Sequence, residues 1–172
     1  MNQVILVDSE DNEIGTLDKM EAHLTGQLHR AFSIFIFNSK GEMLIHQRAF
    51  EKYHSGGLWT NACCSHPQPS TSIYQTLEER LDFEMGMKCE LKFAFTFLYQ
   101  AAVEPDLIEH ELDHIYIGIS DIPPQPNPDE VVNWRYISIT ELEESLRDQP
   151  TLFTPWFKLM APRVIRHFIA RQ

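Results

Sequence analysis

Three histidines and two glutamates, His23, His29, His66, Glu109 and Glu111, are the side chains whose types could share one divalent ion. Imidazole with carboxylate suits manganese, zinc or iron, whereas calcium would want oxygen ligands throughout. Glu109 and Glu111 lie two apart, so in an extended segment both project to one face while His110 and Leu112 point away. No contiguous ligand motif joins the five, and a lone histidine reads equally well as a surface or hydrogen-bonded residue. That plainer reading is preferred for His46, His54, His110, His114 and His167.

The elements that would position such a set follow from periodicity. Alternating β-branched and aromatic residues mark strands at 31–37, 42–47, 92–101, 114–120 and 134–139, with Asn38-Ser39-Lys40-Gly41 as a hairpin turn joining the first two. Ser70, Thr71 and Ser72 cap a helix from Ile73 to Met85, which Gly86 ends. A second helix starts at Thr140, with Glu143 completing a capping box, and a third opens on Thr154 as cap with Pro155 at its first position. Pro162 is expected to kink or divide that last helix. Residues 122–128 carry four prolines and read as an exposed loop. Strands and helices mixed in this order predict an α+β fold, an α/β/α layered domain around a mixed sheet.

The chain has 172 residues, 43% of them apolar, which fits one soluble domain spanning 1–172. Residues 4–7 are apolar, but no Lys or Arg precedes them and acidic residues follow, so they do not read as a secretory signal. No apolar run approaches the ~20 residues of a membrane helix. Three cysteines, two of them adjacent, make a poor disulfide framework and point to a reducing cytoplasm. A net charge of -11 argues against non-specific nucleic-acid binding, which needs basic surface to neutralise phosphates. Any anionic ligand must find a local cluster of cations or a metal.

The stretch Thr60-Asn61-Ala62-Cys63-Cys64-Ser65-His66-Pro67 resembles the active-site signature of type I isopentenyl diphosphate isomerases, a family of the Nudix fold. The resemblance continues through residues 15–19 with His23, Leu28-His29-Arg30-Ala31-Phe32, Gln47-Arg48-Ala49 with Lys52, and Gly57-Leu58-Trp59. It goes on through Tyr99, Glu109-His110-Glu111, residues 127–131 and Thr154-Pro155-Trp156, covering nearly the whole chain in order. It implies an enzyme that interconverts isopentenyl and dimethylallyl diphosphate by protonating one carbon of the alkene and deprotonating another, through a carbocation.

By that resemblance His23, His29, His66, Glu109 and Glu111 are the ligands of a manganese or zinc ion, and Cys64 and Glu111 are proton-transfer residues on opposite faces of the substrate. Cys64 is taken over Cys63 because the family's thiol lies two residues before the metal-binding histidine, and Cys63 alternates to the other side of an extended chain. Glu111, metal-bound and assisted by Tyr99, is the expected acid, and Cys64 as thiolate the expected base. Trp156 offers its ring to the cation, an interaction worth ~2 kcal/mol when desolvated. Lys19, Arg48, Lys52 and Arg80 match the residues that grip the diphosphate.

In the run Glu79-Arg80-Leu81-Asp82-Phe83-Glu84-Met85-Gly86 only Glu84 stands where a Nudix hydrolase carries a metal-binding glutamate. The resemblance gives Glu84 to a magnesium ion on the diphosphate, and Arg80, four residues earlier, shares its helix face. The alternatives are a Nudix hydrolase of a nucleoside diphosphate derivative, against which the degenerate acidic run counts, and a non-catalytic metal-binding scaffold.

Overall fold

The computed structural model describes residues 3–103 and 105–171. Two antiparallel strands, β1 (Gln3–Val7) and β2 (Glu13–Asp18), lead into a short helix, α1 (Lys19–Thr25). Strand β3 (His29–Phe37) turns into β4 (Met43–Arg48), and two short strands, β5 (Trp59–Thr60) and β6 (Cys63–Ser65), lead to helix α2 (Ile73–Met85). A long hairpin of β7 (Leu91–Val103) and β8 (Leu107–Ile119) follows, then β9 (Val131–Ile137) and helices α3 (Ile139–Asp148) and α4 (Pro155–Ile169). Among the described residues the nine strands form one mixed sheet. Its hub is β3, parallel to β8 and antiparallel to β1, β4 and β6.

The period of two along β3 sorts its side chains into two cores. Phe35 and Phe37 pack with Phe157, Met160 and Val164 of α4, while Phe32, Ile34 and Ile36 pack with Leu77, Leu81 and Met85 of α2. Because β3 is buried on both faces, it reads as a nearly continuous apolar run. The sheet therefore lies between helical layers, the α+β arrangement that the order of elements predicts.

All five expected strands are present, and α2 has the expected bounds. Gly86 ends α2 at φ 59°, and a Cβ there would come within 2.3 Å of the Gln125 carbonyl oxygen, so the turn requires glycine. The proline-rich loop is more than an exposed connector: Gln125 and Asn127 donate their backbone N–H groups to the Met85 and Glu84 carbonyls, closing the end of α2. Three expectations at helix ends need correction. Ser72 occupies the N-cap position of α2, but its side chain makes no capping hydrogen bond. Ser138, not Thr140, caps α3, its hydroxyl accepting from the Glu141 N–H. Pro162 does not divide α4; it lies on the exposed face, where the carbonyl that its missing N–H leaves free can meet water. The cap at Thr154 is as expected. Among the described residues no helix is long and apolar enough to cross a membrane, and the three cysteines are free.

His46 on β4 is buried, 3% exposed, with its Nδ1 unpartnered. Burial, then the charges of Arg48 and Lys52, push its pKa down to about 3. The folded state therefore refuses a proton that the unfolded chain binds below its ordinary value of ~6.5, and stability falls as pH drops through that window. Replacing His46 with Gln is expected to remove about 2 kcal/mol of the stability difference between pH 7.5 and pH 5. Denaturant unfolding of both proteins at the two pH values checks this, and equal losses would exclude His46 as a source of acid sensitivity.

Candidate active site and metal centre

Strand pairing sets three of the site residues in a row across the sheet. His29 on β3 stands opposite Glu111 on β8, which stands opposite Tyr99 on β7. Strand β6 places Cys64 opposite Ser33 and delivers the chain to His66. Helix α1, capped by the Asp18 carboxylate accepting from the Met20 and Glu21 N–H groups, carries Lys19 and His23.

Ligand atoms of His23, His29, His66 and Glu111 all lie within 4.8 Å of one another, and all four residues are buried. The Nδ1 atoms of His23 and His29 are 2.7 and 2.8 Å from the Lys19 and Gln27 carbonyl oxygens, an arrangement that leaves each Nε2 lone pair free for a metal. Nε2 of His23 is buried without a partner, and those of His29 and His66 face each other at 3.2 Å. Glu111 Oε1 lies 2.9 Å from His66 Nε2. Imidazole nitrogens and a carboxylate oxygen converging on one buried point, one of them orphaned, fit a divalent ion of intermediate hardness. Glu109 stands at the edge of this group: its Oε2 lies 3.1 Å from the Tyr99 hydroxyl oxygen and its Oε1 3.4 Å from His54 Nε2.

Burial works against a charge on Glu111, but hydrogen bonds to His29 and His66 outweigh it and hold its carboxyl well below the usual range. Burial and the Glu111 charge push Glu109 and Asp113 well above theirs. Tyr99, raised by burial and Glu111, stays a phenol and donates to Glu111 Oε2 at 2.6 Å. The Cys64 thiol is likewise pushed up by burial and by Asp113.

Lys19, Arg48, Lys52 and Arg80 line one cleft with Cys64, Glu84, Tyr99, Glu109, Glu111 and Trp156. Arg48 Nε and Arg80 Nε are buried with no partner, each an orphaned donor costing ~1–3 kcal/mol that a bound anion would relieve. Arg80 also holds Glu84 at 2.5 Å, and Lys52 pairs with Glu130. Trp156 is 2% exposed and belongs to the α4 core, yet its ring also faces the Arg48 guanidinium at 5.3 Å, so packing and a place at the cleft coexist. Cys63 is fully buried in the α2-side core, on the opposite side of β6 from Cys64.

Sequence reasoning passed over His54, which lines the cleft and stands edge-on to Trp156 at 5.5 Å. It also passed over Asp113, whose place two residues beyond Glu111 was a usable signal. His110 and His114 turn elsewhere, to the Gly26 carbonyl and to Asp11.

Residues 27–157 match the NUDIX domain family. The chain is 48% identical over 164 residues to an isopentenyl-diphosphate Delta-isomerase of Pectobacterium atrosepticum, covering 95% of this chain and 92% of that protein. It is 51% identical over 154 residues to one of Serratia proteamaculans, covering 90% and 86%. Among solved structures, a MutT protein of Methanosarcina mazei shares the fold with a TM-score of 0.65 at 16% identity, over 81% of this chain and 94% of that one. By the length and identity of its match to the isomerases, the chain belongs to the isopentenyl-diphosphate Delta-isomerase family of NUDIX-domain proteins.

Proposed function

We propose that this protein is an isopentenyl-diphosphate Delta-isomerase that interconverts isopentenyl and dimethylallyl diphosphate, the whole chain acting as one domain in the cytoplasm. The observation that carries this reading is one cleft lined both by the Cys64 and Glu111 pair and by four cations, two with orphaned guanidinium donors. A hydrolase would need several carboxylates from α2 in the cleft, whereas Glu84 is the one α2 carboxylate that lines it.

An isolated alkene is a weak base, and its protonation creates a tertiary cation, so the reaction needs a positioned acid and a dry pocket. Cys64 and Glu111 exchange one proton each with the substrate, at the terminal carbon and at the methylene next to the cationic centre. The interconversion is reversible, so each residue is acid in one direction and base in the other. Tyr99, donating to Glu111 Oε2, fixes the orientation of that carboxylate. The Trp156 ring offers the cation an electron-rich face without a nucleophile that would trap it. His23, His29, His66 and Glu111, with Glu109 as fifth ligand, would hold manganese or zinc, which would make a proton shared with Glu111 more acidic. Glu84 would hold magnesium against the diphosphate, whose oxygens Lys19, Arg48, Lys52 and Arg80 grip.

Incubation with isopentenyl diphosphate, before and after chelation, tests the reading: dimethylallyl diphosphate should form without phosphate release and cease after chelation. Phosphate release would favour the hydrolase, and a metal-loaded protein with no turnover would overturn the assignment. Glu84→Gln is expected to raise the magnesium concentration for half-maximal rate by roughly 10-fold or more, with transition-metal content unchanged. Unaltered magnesium dependence would remove Glu84 from that role.

A further inference from the structure

We infer that Ser33 is a positioning residue for the isomerisation: its hydroxyl turns to the Cys64 sulfur and donates to it whenever that sulfur has given up its proton. The inference rests on the isomerase reading. Ser33 is 1% exposed and faces Cys64 in register across β3 and β6. Its Oγ lies 3.3 Å from the Cys64 Sγ and donates to Asp113 Oδ2 at 2.7 Å.

Asn61 holds the sulfur from another direction, and its orientation is fixed. Both amide hydrogens are spent, on the Ile34 carbonyl at 3.0 Å and the Cys63 carbonyl at 2.9 Å, so Oδ1 must face Sγ, at 3.1 Å. A carbonyl oxygen accepts from a thiol but has nothing to offer a thiolate. When the S–H bond breaks and the proton goes to a substrate carbon, the electron pair stays on sulfur and the Asn61 contact becomes repulsive. Among the described hydrogen bonds, Ser33 supplies the side-chain hydroxyl within reach of that sulfur.

Rotation about the Ser33 Cβ–Oγ bond carries its hydrogen from Asp113 to Sγ without moving a heavy atom. No proton changes owner in that rotation, and it reverses when the sulfur regains a proton from the substrate. Asn61 thus serves the thiol and Ser33 the thiolate, with Asp113 giving the hydroxyl its place in the first state. A hydrogen bond to the charged sulfur is stronger than one to the neutral thiol, so its loss falls on the proton-transfer step more than on substrate binding.

The test compares metal-loaded parent, Ser33→Ala and Ser33→Thr, with metal content and thermal unfolding measured on each. Ser33→Ala is expected to lower kcat by roughly 10- to 100-fold with KM within about twofold. The same variant should slow alkylation of Cys64 by iodoacetamide, followed at that residue by mass spectrometry; this readout does not depend on isomerase activity. Ser33→Thr, which keeps the hydroxyl, should recover most of both. A Ser33→Ala enzyme with parental kcat and alkylation rate would overturn the inference. So would equal losses in both variants accompanied by lowered melting, which would make Ser33 a packing residue only. A parent with no isomerase activity but the predicted alkylation difference would overturn the isomerase reading and leave the Ser33 contact standing.

Discussion

Replacing His29 or His66 with Ala is expected to remove bound transition metal and lower isomerase activity by at least about a hundredfold, since even residues that only orient metal ligands cost ~10- to 100-fold. His29 is fully buried, and its Nε2 faces both His66 Nε2 at 3.2 Å and Glu111 Oε1 at 3.5 Å. Either loss takes a nitrogen from the convergent set and a hydrogen-bond partner from Glu111, the group that must hold or surrender a proton at the substrate. Metal content by elemental analysis and turnover on the same preparations decide the matter. A variant that keeps full activity with no metal would sink the metal assignment, while one that keeps metal but loses activity would leave orientation of Glu111 as the histidine's role.

Legibility in the sequence followed the strength of the local signal. Helix α2 is read to the residue because Gly86 must take a left-handed turn at its end and Ser72 takes the extended N-cap conformation before Ile73, although its hydroxyl makes no cap hydrogen bond. Strand β8 begins at Leu107, well before its apolar alternation becomes visible, because Glu109, Glu111 and Asp113 occupy the inward positions that apolar residues would otherwise mark. The functional carboxylates thus disguise the strand that carries them. Helix α1 and strands β5 and β6 are too short to show periodicity, yet they deliver His23, Lys19 and Cys64. Their placement comes from sheet pairing and from the Asp18 cap, which are tertiary and local events below the reach of a pattern. His54 illustrates the remaining gap: nothing in its neighbours distinguishes a surface imidazole from one wedged between Glu109 and Trp156.

The adjacent cysteines offer the sharpest test of the inferred geometry. Strand alternation puts Cys64 on the side of β3 that carries His29 and Ser33, and Cys63 among Phe32, Ile34 and Leu77 on the other. Cys64→Ala is expected to abolish isomerisation with the transition metal still bound, because the sulfur is not among the convergent ligand atoms. Cys63→Ala should lose only a small buried side chain, about 1–2 kcal/mol of stability, and keep its rate within about tenfold of the parent. In deuterated water the parent should place deuterium in both recovered substrate and product, since both proton transfers are reversible. Cys64→Ala should form no product, and deuterium in its recovered substrate should be confined to the one carbon at which Glu111 still exchanges a proton. An inactive Cys63→Ala beside an active Cys64→Ala would show the other thiol to be the working one. Activity in both variants would remove cysteine from the mechanism and leave Glu111 and Tyr99 to move both protons from a single face.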